Sequence, residues 1–302
     1  MILFKTEYKK LEEEYKLSYD VIIIGSGPAG ISAALYSKRR NLNVLVLSKG
    51  NGALEKAEKI ENYYGVENGI SGKQLYENGI KQAQKLGITI IEDEVIGIDY
   101  IEKYKVETVN SEYEAKAVIL ATGANRNTPN IKGIREFEGK GVSFCAVCDS
   151  FFYRGKDVVV IGDGNYAIHE VETLRPVVKS VTILTNGKEL IENRDIDVDV
   201  NNKKIREFRG QEKIEEVEFE DNTKEKISGV FVAIGTASSS DLARKIGARV
   251  ENNNIVVDEN MQTTVPGLFA CGDCTGGLLQ ISKAVYEGAK AGLAVLNSKN
   301  KS

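Results

Sequence analysis

Twice in this chain a short apolar run leads into a glycine-rich turn and then a helical stretch. That repeated pattern restricts the fold more than any other feature. In the first copy the run at 20–24 precedes Gly25-Ser26-Gly27-Pro28-Ala29-Gly30 and a helical segment to about residue 40; in the second, the run at 158–161 precedes Gly162-Asp163-Gly164-Asn165-Tyr166-Ala167. Strand, glycine turn, helix opens a nucleotide-binding unit. The first glycine permits the tight turn, the second lets the backbone approach a pyrophosphate, and the third lets helix and strand pack closely. The helix N-terminus then offers its free N–H groups to phosphate. Each copy closes on another buried strand, ending at Ala121-Thr122-Gly123 in the first and at Gly235 in the second. This internal duplication predicts an α/β fold of two Rossmann-like, three-layer domains, the second of them shortened.

The copies are nested. The first domain takes residues 1–122 and resumes at 239–302; the shortened domain is inserted at 123–238. Ahead of the first strand, Phe4, Tyr8, Leu11 and Tyr15 fall at helical spacing and predict a short amphipathic helix. The second strand, 43–47, ends at Ser48, where the fingerprint would place a ribose-binding acid. Residues 51–79 are polar and poorly periodic, as functional loops of that length are, and a helix follows at about 72–86. Strands are predicted at 95–101, 104–108, 113–115 and 118–121. In the inserted domain, strand 181–184 is followed by no long helical pattern before 197–200, and a hairpin covers 217–227. Thr236-Ala237-Ser238-Ser239-Ser240 reads as a hinge. Strand 255–257, a strand and turn at 266–273 and an Ala/Gly-rich helix at 280–296 complete the chain.

Between the two glycine turns lies Cys145-Ala146-Val147-Cys148-Asp149. Two thiols three positions apart close and reopen a small disulphide ring, and thiol–disulphide exchange needs a thiolate, a leaving sulphur and a proton donor or acceptor. Half a zinc ribbon is the competing interpretation, but Cys271 and Cys274 lie far off and lack compact zinc-finger spacing. Those two read as buried small hydrophobes, with an auxiliary disulphide the sharper alternative, and the single histidine, His169, reads as an ordinary helix residue. The net charge of −4 gives no reason to expect nucleic acid, which needs a basic face. No apolar run reaches signal-peptide or membrane-spanning length, so a cytoplasmic protein with no membrane contact is expected.

Taken together, GSGPAG at Gly25, ATG at Ala121, CAVCD at Cys145, GDGNYA at Gly162, AIG at Ala233 and the pair Gly272-Asp273 resemble low-molecular-weight thioredoxin reductases in kind and order, over nearly the whole chain. The resemblance implies FAD on Gly25, Gly27, Pro28, Ala29 and Gly30, with Ala121, Thr122 and Gly123 lining the same site. Asn62 would lie near the flavin, Gly272 and Asp273 at its ribityl–phosphate region, and Gln280 at its pyrimidine edge. Cys148 would take electrons from the flavin, Cys145 would attack the substrate disulphide, and Asp149 would carry the proton. A homodimer reducing a thioredoxin-like protein is implied.

The sequence departs from that family where NADPH would bind. A His-Arg-Arg stretch is replaced by Thr185-Asn186-Gly187, followed by Lys188, Glu189 and Glu192, and Tyr166 fills a small residue's place beside the pyrophosphate. The departures resemble the ferredoxin-dependent flavin thioredoxin reductases. A ferredoxin-like donor is therefore the leading expectation, with Arg154, Lys156 and the basic run 203–209 as candidate docking cations. The alternatives are an NADPH-dependent enzyme with a rebuilt cofactor site and a flavin-bearing redox sensor that does not turn over.

Overall fold

The structure, a computed structural model, describes residues 18–50, 52–123, 128–191 and 197–295. The predicted N-terminal helix, Glu192 and the end of the last predicted helix lie outside these residues. The chain divides into two compact units, Met1–Asn125 with Ser238–Ser302, and Arg126–Ala237.

The first unit begins with β1 (Ser18–Ile24), α1 (Pro28–Lys38), β2 (Val44–Ser48), α2 (Gly72–Lys85), β3 (Thr89–Glu92), β4 (Val95–Tyr100), β5 (Tyr104–Thr108) and β6 (Glu112–Leu120). The order β3-β2-β1-β6 is parallel throughout. Residues 21–24 and 44–47 are almost wholly buried, which explains their unbroken apolar runs: a parallel strand covered on both faces has no polar side to alternate with. The two strands expected at 113–115 and 118–121 are one. β6 pairs antiparallel with β5 over its first residues and parallel with a later strand over its last. Glu112, Glu114 and Lys116 alternate outward along the first part, and the remainder is buried on both sides. The change of pattern marks a change of neighbour, not a chain break. The edge strand β3 was not anticipated; it is four residues long and only half-buried.

The second unit holds β7 (Val142–Ser143), α3 (Ala146–Asp149), β8 (Asp157–Ile161), α4 (Asn165–Leu174), β9 (Ser180–Leu184), β10 (Asp199–Asn201), β11 (Ile205–Gly210), β12 (Ile214–Phe219), β13 (Lys224–Lys226) and β14 (Gly229–Val232). A five-stranded parallel sheet, β10-β9-β8-β14-β7, carries the glycine turn at the end of β8, and β11-β12-β13 form an antiparallel sheet. β10 joins β9 in parallel with no helix among the described residues of the connection.

The chain resumes the first unit with α5 (Ser239–Lys245), β15 (Val250–Glu251), β16 (Asn254–Ile255), β17 (Leu268–Ala270) and α6 (Ile281–Ala294). The boundary between the two units, Ala237 to Ser238, falls within the segment expected as a hinge, whose last two residues begin α5. Ser238 and Asp241 form a reciprocal capping box, and Ser239 exchanges hydrogen bonds with Thr122. The Ser238 hydroxyl accepts the Asp241 N–H at the helix N-terminus, and the Ser240 hydroxyl donates to the Asn253 carbonyl. α6 packs on α1 through Gly288 and Gly292, where a Cβ would overlap the carbonyl oxygens of Ala29 and Ala33. Among the described residues no helix is long and apolar enough to cross a membrane.

Candidate active site: a dithiol turn and two glycine turns

In the first unit, β1 ends at a turn that only glycine can build. Gly25 has φ +111°, and a Cβ there would overlap the Ala121 carbonyl oxygen; one at Gly30 would overlap the Gly25 oxygen. A Cβ at Gly27 would meet nothing within 4 Å. Gly27 is therefore not required by packing; it leaves the backbone open to an approaching ligand. Gly27 is the N-cap of α1 and Pro28 occupies its first turn, so the free N–H groups face that open space, a cradle suited to a dinucleotide pyrophosphate.

Ser48, standing where an acid was expected, bonds Ser26 hydroxyl to hydroxyl at 2.6 Å, and Ser26 bonds the Tyr76 hydroxyl at 2.8 Å. Three hydroxyls thus gather at the end of β2. Gly272 and Asp273 lie at the end of β17. The Gly272 N–H donates to Glu287 at 2.9 Å and its carbonyl accepts from Lys283 at 2.9 Å, so α6 fixes the turn. Burial pushes the Asp273 carboxyl above its usual range; nearby Lys283 opposes the shift and Glu287 adds to it. Asn62 donates to Gln280 at 3.0 Å, tying the polar loop to the N-cap of α6. Gly25, Gly27, Pro28, Ala29, Gly30, Asn62, Ala121, Thr122, Gly123, Gly272, Asp273 and Gln280 all belong to this unit. Thr122 is already engaged by Ser239.

In the second unit, Cys145 and Cys148 are joined as a disulphide. Cys145 caps the four-residue helix α3, its sulphur accepting the Cys148 N–H at 3.2 Å. Cys145 is 3% exposed, whereas Cys148 is exposed. The Asp149 carboxylate accepts the Ser143 hydroxyl at 2.7 Å, and Ala146 donates its N–H to buried Glu170 on α4 at 2.9 Å. Neither Ser143 nor Glu170 was anticipated. A serine two residues before the cysteine and a glutamate one helix later carry no periodic signal. Phe151 and Phe152 follow the dithiol at 69% and 68% exposure, with Val147 also exposed between the cysteines. The Arg154 guanidinium lies over the Phe151 ring, and Lys156 donates to the Phe152 carbonyl. Tyr153 is held protonated above its usual range by burial, and further by Asp149.

The second glycine turn repeats the first. A Cβ at Gly162 would overlap the Ala233 carbonyl oxygen, and one at Gly164 would meet nothing within 4 Å. The loop after β9 departs from the first copy: it folds onto the turn. The Ile191 N–H donates to the Asp163 carbonyl at 2.8 Å, and the Lys188 ammonium pairs with the Asp163 carboxylate at 2.6 Å. Asn186 accepts the Ile205 N–H at 2.8 Å, and Gly187 donates to Asn202 at 2.9 Å. Tyr166 is only 2% exposed. Its ring is packed away from solvent.

The basic run 203–209 keeps its cations exposed but pairs most of them with acids. From Ile205 onward it lies in β11, and Arg206 pairs with Glu218, Arg209 with Glu207 and Glu218, and Lys203 with Asp221. Hydrogen bonds from Lys132 and Arg209 hold the Glu207 carboxyl down to about 2. Cross-strand pairing supplies acids that a linear reading of the run does not see. Cys271 and Cys274 are free and buried, and the Cys274 thiol donates to the Cys271 carbonyl. Among the described residues no cluster could hold a metal ion.

The sequence profile of the pyridine nucleotide-disulphide oxidoreductase family matches residues 19–288. The thioredoxin reductase of Aquifex aeolicus (strain VF5) is 36% identical over 298 residues, covering 92% of each chain. The atypical thioredoxin reductase TRi from Desulfovibrio vulgaris Hildenborough superposes with a TM-score of 0.86 at 37% identity, over 93% of this chain and 98% of that one. A ferredoxin-flavin thioredoxin reductase from Clostridium acetobutylicum gives 0.69 at 32% identity, over 94% and 99%.

Proposed function

The chain belongs to the pyridine nucleotide-disulphide oxidoreductases, as an FAD-dependent disulphide reductase of thioredoxin reductase type, and from that premise we propose that its electron donor is a ferredoxin-like protein and not NADPH. The Gly25–Gly30 turn, with Asp273, Asn62 and Gln280, would hold FAD, which would supply the dithiol with electrons taken up singly or in pairs. The open backbone at Gly27 supports that placement. Cys145 attacks the disulphide of a thioredoxin-like protein, Cys148 resolves the mixed disulphide, and Asp149 moves the proton. Phe151 and Phe152, exposed beside the dithiol, form an apolar surface of the kind a protein substrate covers. The working unit is a homodimer.

The observation that carries the donor reading is the loop 185–191, pinned to the second glycine turn through Asp163. NADPH is distinguished by cations on its 2′-phosphate. Each charge-assisted contact contributes about 1.5–3 kcal/mol, and about 1.4 kcal/mol is tenfold in affinity. The one cation in this loop, Lys188, is engaged by Asp163. Arg154 and Lys156, beside the exposed phenylalanines, and the exposed cations of the run 203–209 are the candidates to meet an acidic donor. The open position at Gly164 favours the alternative, an NADPH-dependent enzyme with a rebuilt site. Offering the oxidised protein NADPH, NADH and reduced ferredoxin separately decides between them. Ferredoxin should bleach the flavin, more slowly as salt rises. Rapid bleaching by micromolar NADPH refutes the donor assignment, and a Cys145→Ser variant with undiminished activity refutes the enzyme reading.

A further inference from the structure

We propose that Ser143 is a positioning residue for Asp149, reversing its hydroxyl each time that carboxyl gains or loses a proton. The inference rests on the reading of Asp149 as the proton carrier of the dithiol. Ser143 is 5% exposed at the end of β7, and its oxygen has three neighbours within hydrogen-bond distance. It accepts the Cys145 N–H at 3.1 Å and donates to Asp149 Oδ2 at 2.7 Å; the Cys145 carbonyl oxygen lies 3.3 Å away as a second acceptor. A hydroxyl has one hydrogen and two lone pairs. With Asp149 ionised, the hydrogen points at the carboxylate. With Asp149 protonated, the acid O–H donates to the second lone pair and the serine hydrogen turns to the Cys145 carbonyl. Neither state leaves a buried polar group of this cluster unpaired, so the carboxyl keeps its place in both.

Turnover needs both states twice. The reduced Cys145 thiol gives its proton to Asp149, and the thiolate forms a bond to one sulphur of the substrate disulphide. The substrate S–S bond breaks, and its departing thiolate takes the proton from Asp149. The Cys148 thiol then gives its proton to Asp149 and its sulphur bonds to Cys145 Sγ. The mixed disulphide breaks, and the second substrate thiolate takes that proton. Two electrons and two protons pass to the substrate, leaving the Cys145–Cys148 disulphide.

Taking the proton of the attacking thiol helps with every disulphide, but returning it matters for a poor leaving group and not for a good one. An alkyl thiolate leaves slowly without a proton, while the low-pKa thiolate of an aromatic disulphide leaves readily. The experiment follows exchange of the chemically reduced holoenzyme with an alkyl and an aromatic disulphide. Ser143→Ala should slow alkyl exchange by about 10- to 100-fold and aromatic exchange by a clearly smaller factor; Ser143→Thr should restore the rate, and in an Asp149→Asn background Ser143→Ala should add little. Equal slowing with both disulphides, or the same factor in the Asp149→Asn background, overturns the proposal and leaves Ser143 a structural staple; so does an undiminished alkyl rate in Ser143→Ala. If Asp149→Asn alone leaves alkyl exchange unchanged, the assignment of Asp149 is what fails.

Discussion

The same substitution, glycine to alanine inside a helix, should act with opposite sign at two positions of the first unit. In α2, a Cβ at Gly79 would meet only the Ile31 Cγ2 at 3.6 Å, an ordinary contact. Gly79→Ala therefore gains helix propensity without strain and should stabilise by about 0.5–1 kcal/mol. In α6, a Cβ at Gly288 would overlap the Ala29 carbonyl oxygen and lie 2.9 Å from both the Ala29 carbonyl carbon and the Ser32 Cβ. Two of those three atoms are backbone of α1, which cannot rotate away. The helices must separate, at about 1–3 kcal/mol for overpacking, against the same propensity gain, so a net loss of about 1–2 kcal/mol is expected. The displaced residue, Ala29, belongs to the glycine turn, so FAD retention should fall with stability in Gly288→Ala and not in Gly79→Ala. Urea unfolding of the two variants, with bound flavin measured by absorbance, checks both signs. Stabilisation by Gly288→Ala would refute the inference that α6 is held against α1 by the missing side chain.

The buried thiols predict an alkaline effect. Burial raises both, Cys274 to about 12, so above about pH 8.5, the ordinary thiol pKa, the unfolded chain loses protons that the folded chain keeps. Stability is full below that pH and falls as pH rises, by about 1.4 kcal/mol per unit per thiol; the urea midpoint of a Cys271→Ala/Cys274→Ala variant should fall less steeply than wild type between pH 9 and 11, and parallel slopes would contradict the shift. Cys148→Ser should trap a mixed disulphide with a thioredoxin-like substrate and Cys145→Ser should not; the reverse result would follow the exposure seen here, where Cys148 is the open residue, and would exchange the roles. Gly27→Ala should lose FAD affinity with little change in apoprotein stability, while Gly164→Ala, equally free of protein neighbours, should leave activity unchanged if no nucleotide binds there.

The elements most legible in sequence are those whose burial is uniform. Residues 21–24, 44–47 and 158–161 are covered on both faces and flanked by turns that glycine alone can make, so pattern and structure coincide. What stayed hidden depends on partners distant in sequence. The run 203–209 reads as unpaired cations because Glu218 and Asp221 stand on a neighbouring strand and its turn. Within the stretch 236–240 the capping box of Ser238 and Asp241 stayed hidden because it looks like any small polar stretch until the helix after it is known. Within the dithiol turn the cysteines and Asp149 are conspicuous as residue types, but the Ser143 and Glu170 contacts arise from β7 and α4, whose approach no local pattern encodes. Gly288 was legible as a glycine in an Ala-rich helix; that its missing side chain admits α1 was not.

The two glycine turns separate what the motif means from what it binds. In both copies the first glycine is demanded by a carbonyl oxygen of the closing strand, Ala121 in one and Ala233 in the other. That demand is a property of the fold and persists whether or not a ligand arrives. In the third position the copies already differ: Gly30 is essential beside the Gly25 oxygen, while Ala167 is accommodated because Gly162 presents no Cβ to it. The middle glycine is open in both, so it permits a ligand without reporting one. The loop beyond the second strand is what discriminates. After β2 the Ser48 hydroxyl gathers with Ser26 and Tyr76 at the strand end; after β9 the chain turns back, and Lys188 and Ile191 take up both polar functions of Asp163. An ion pair and a backbone hydrogen bond therefore hold the loop of the second copy on its glycine turn. Gly162 is thus explained by packing and Gly164 is not; the loop pinned to Asp163 is what sets the second copy apart from the first.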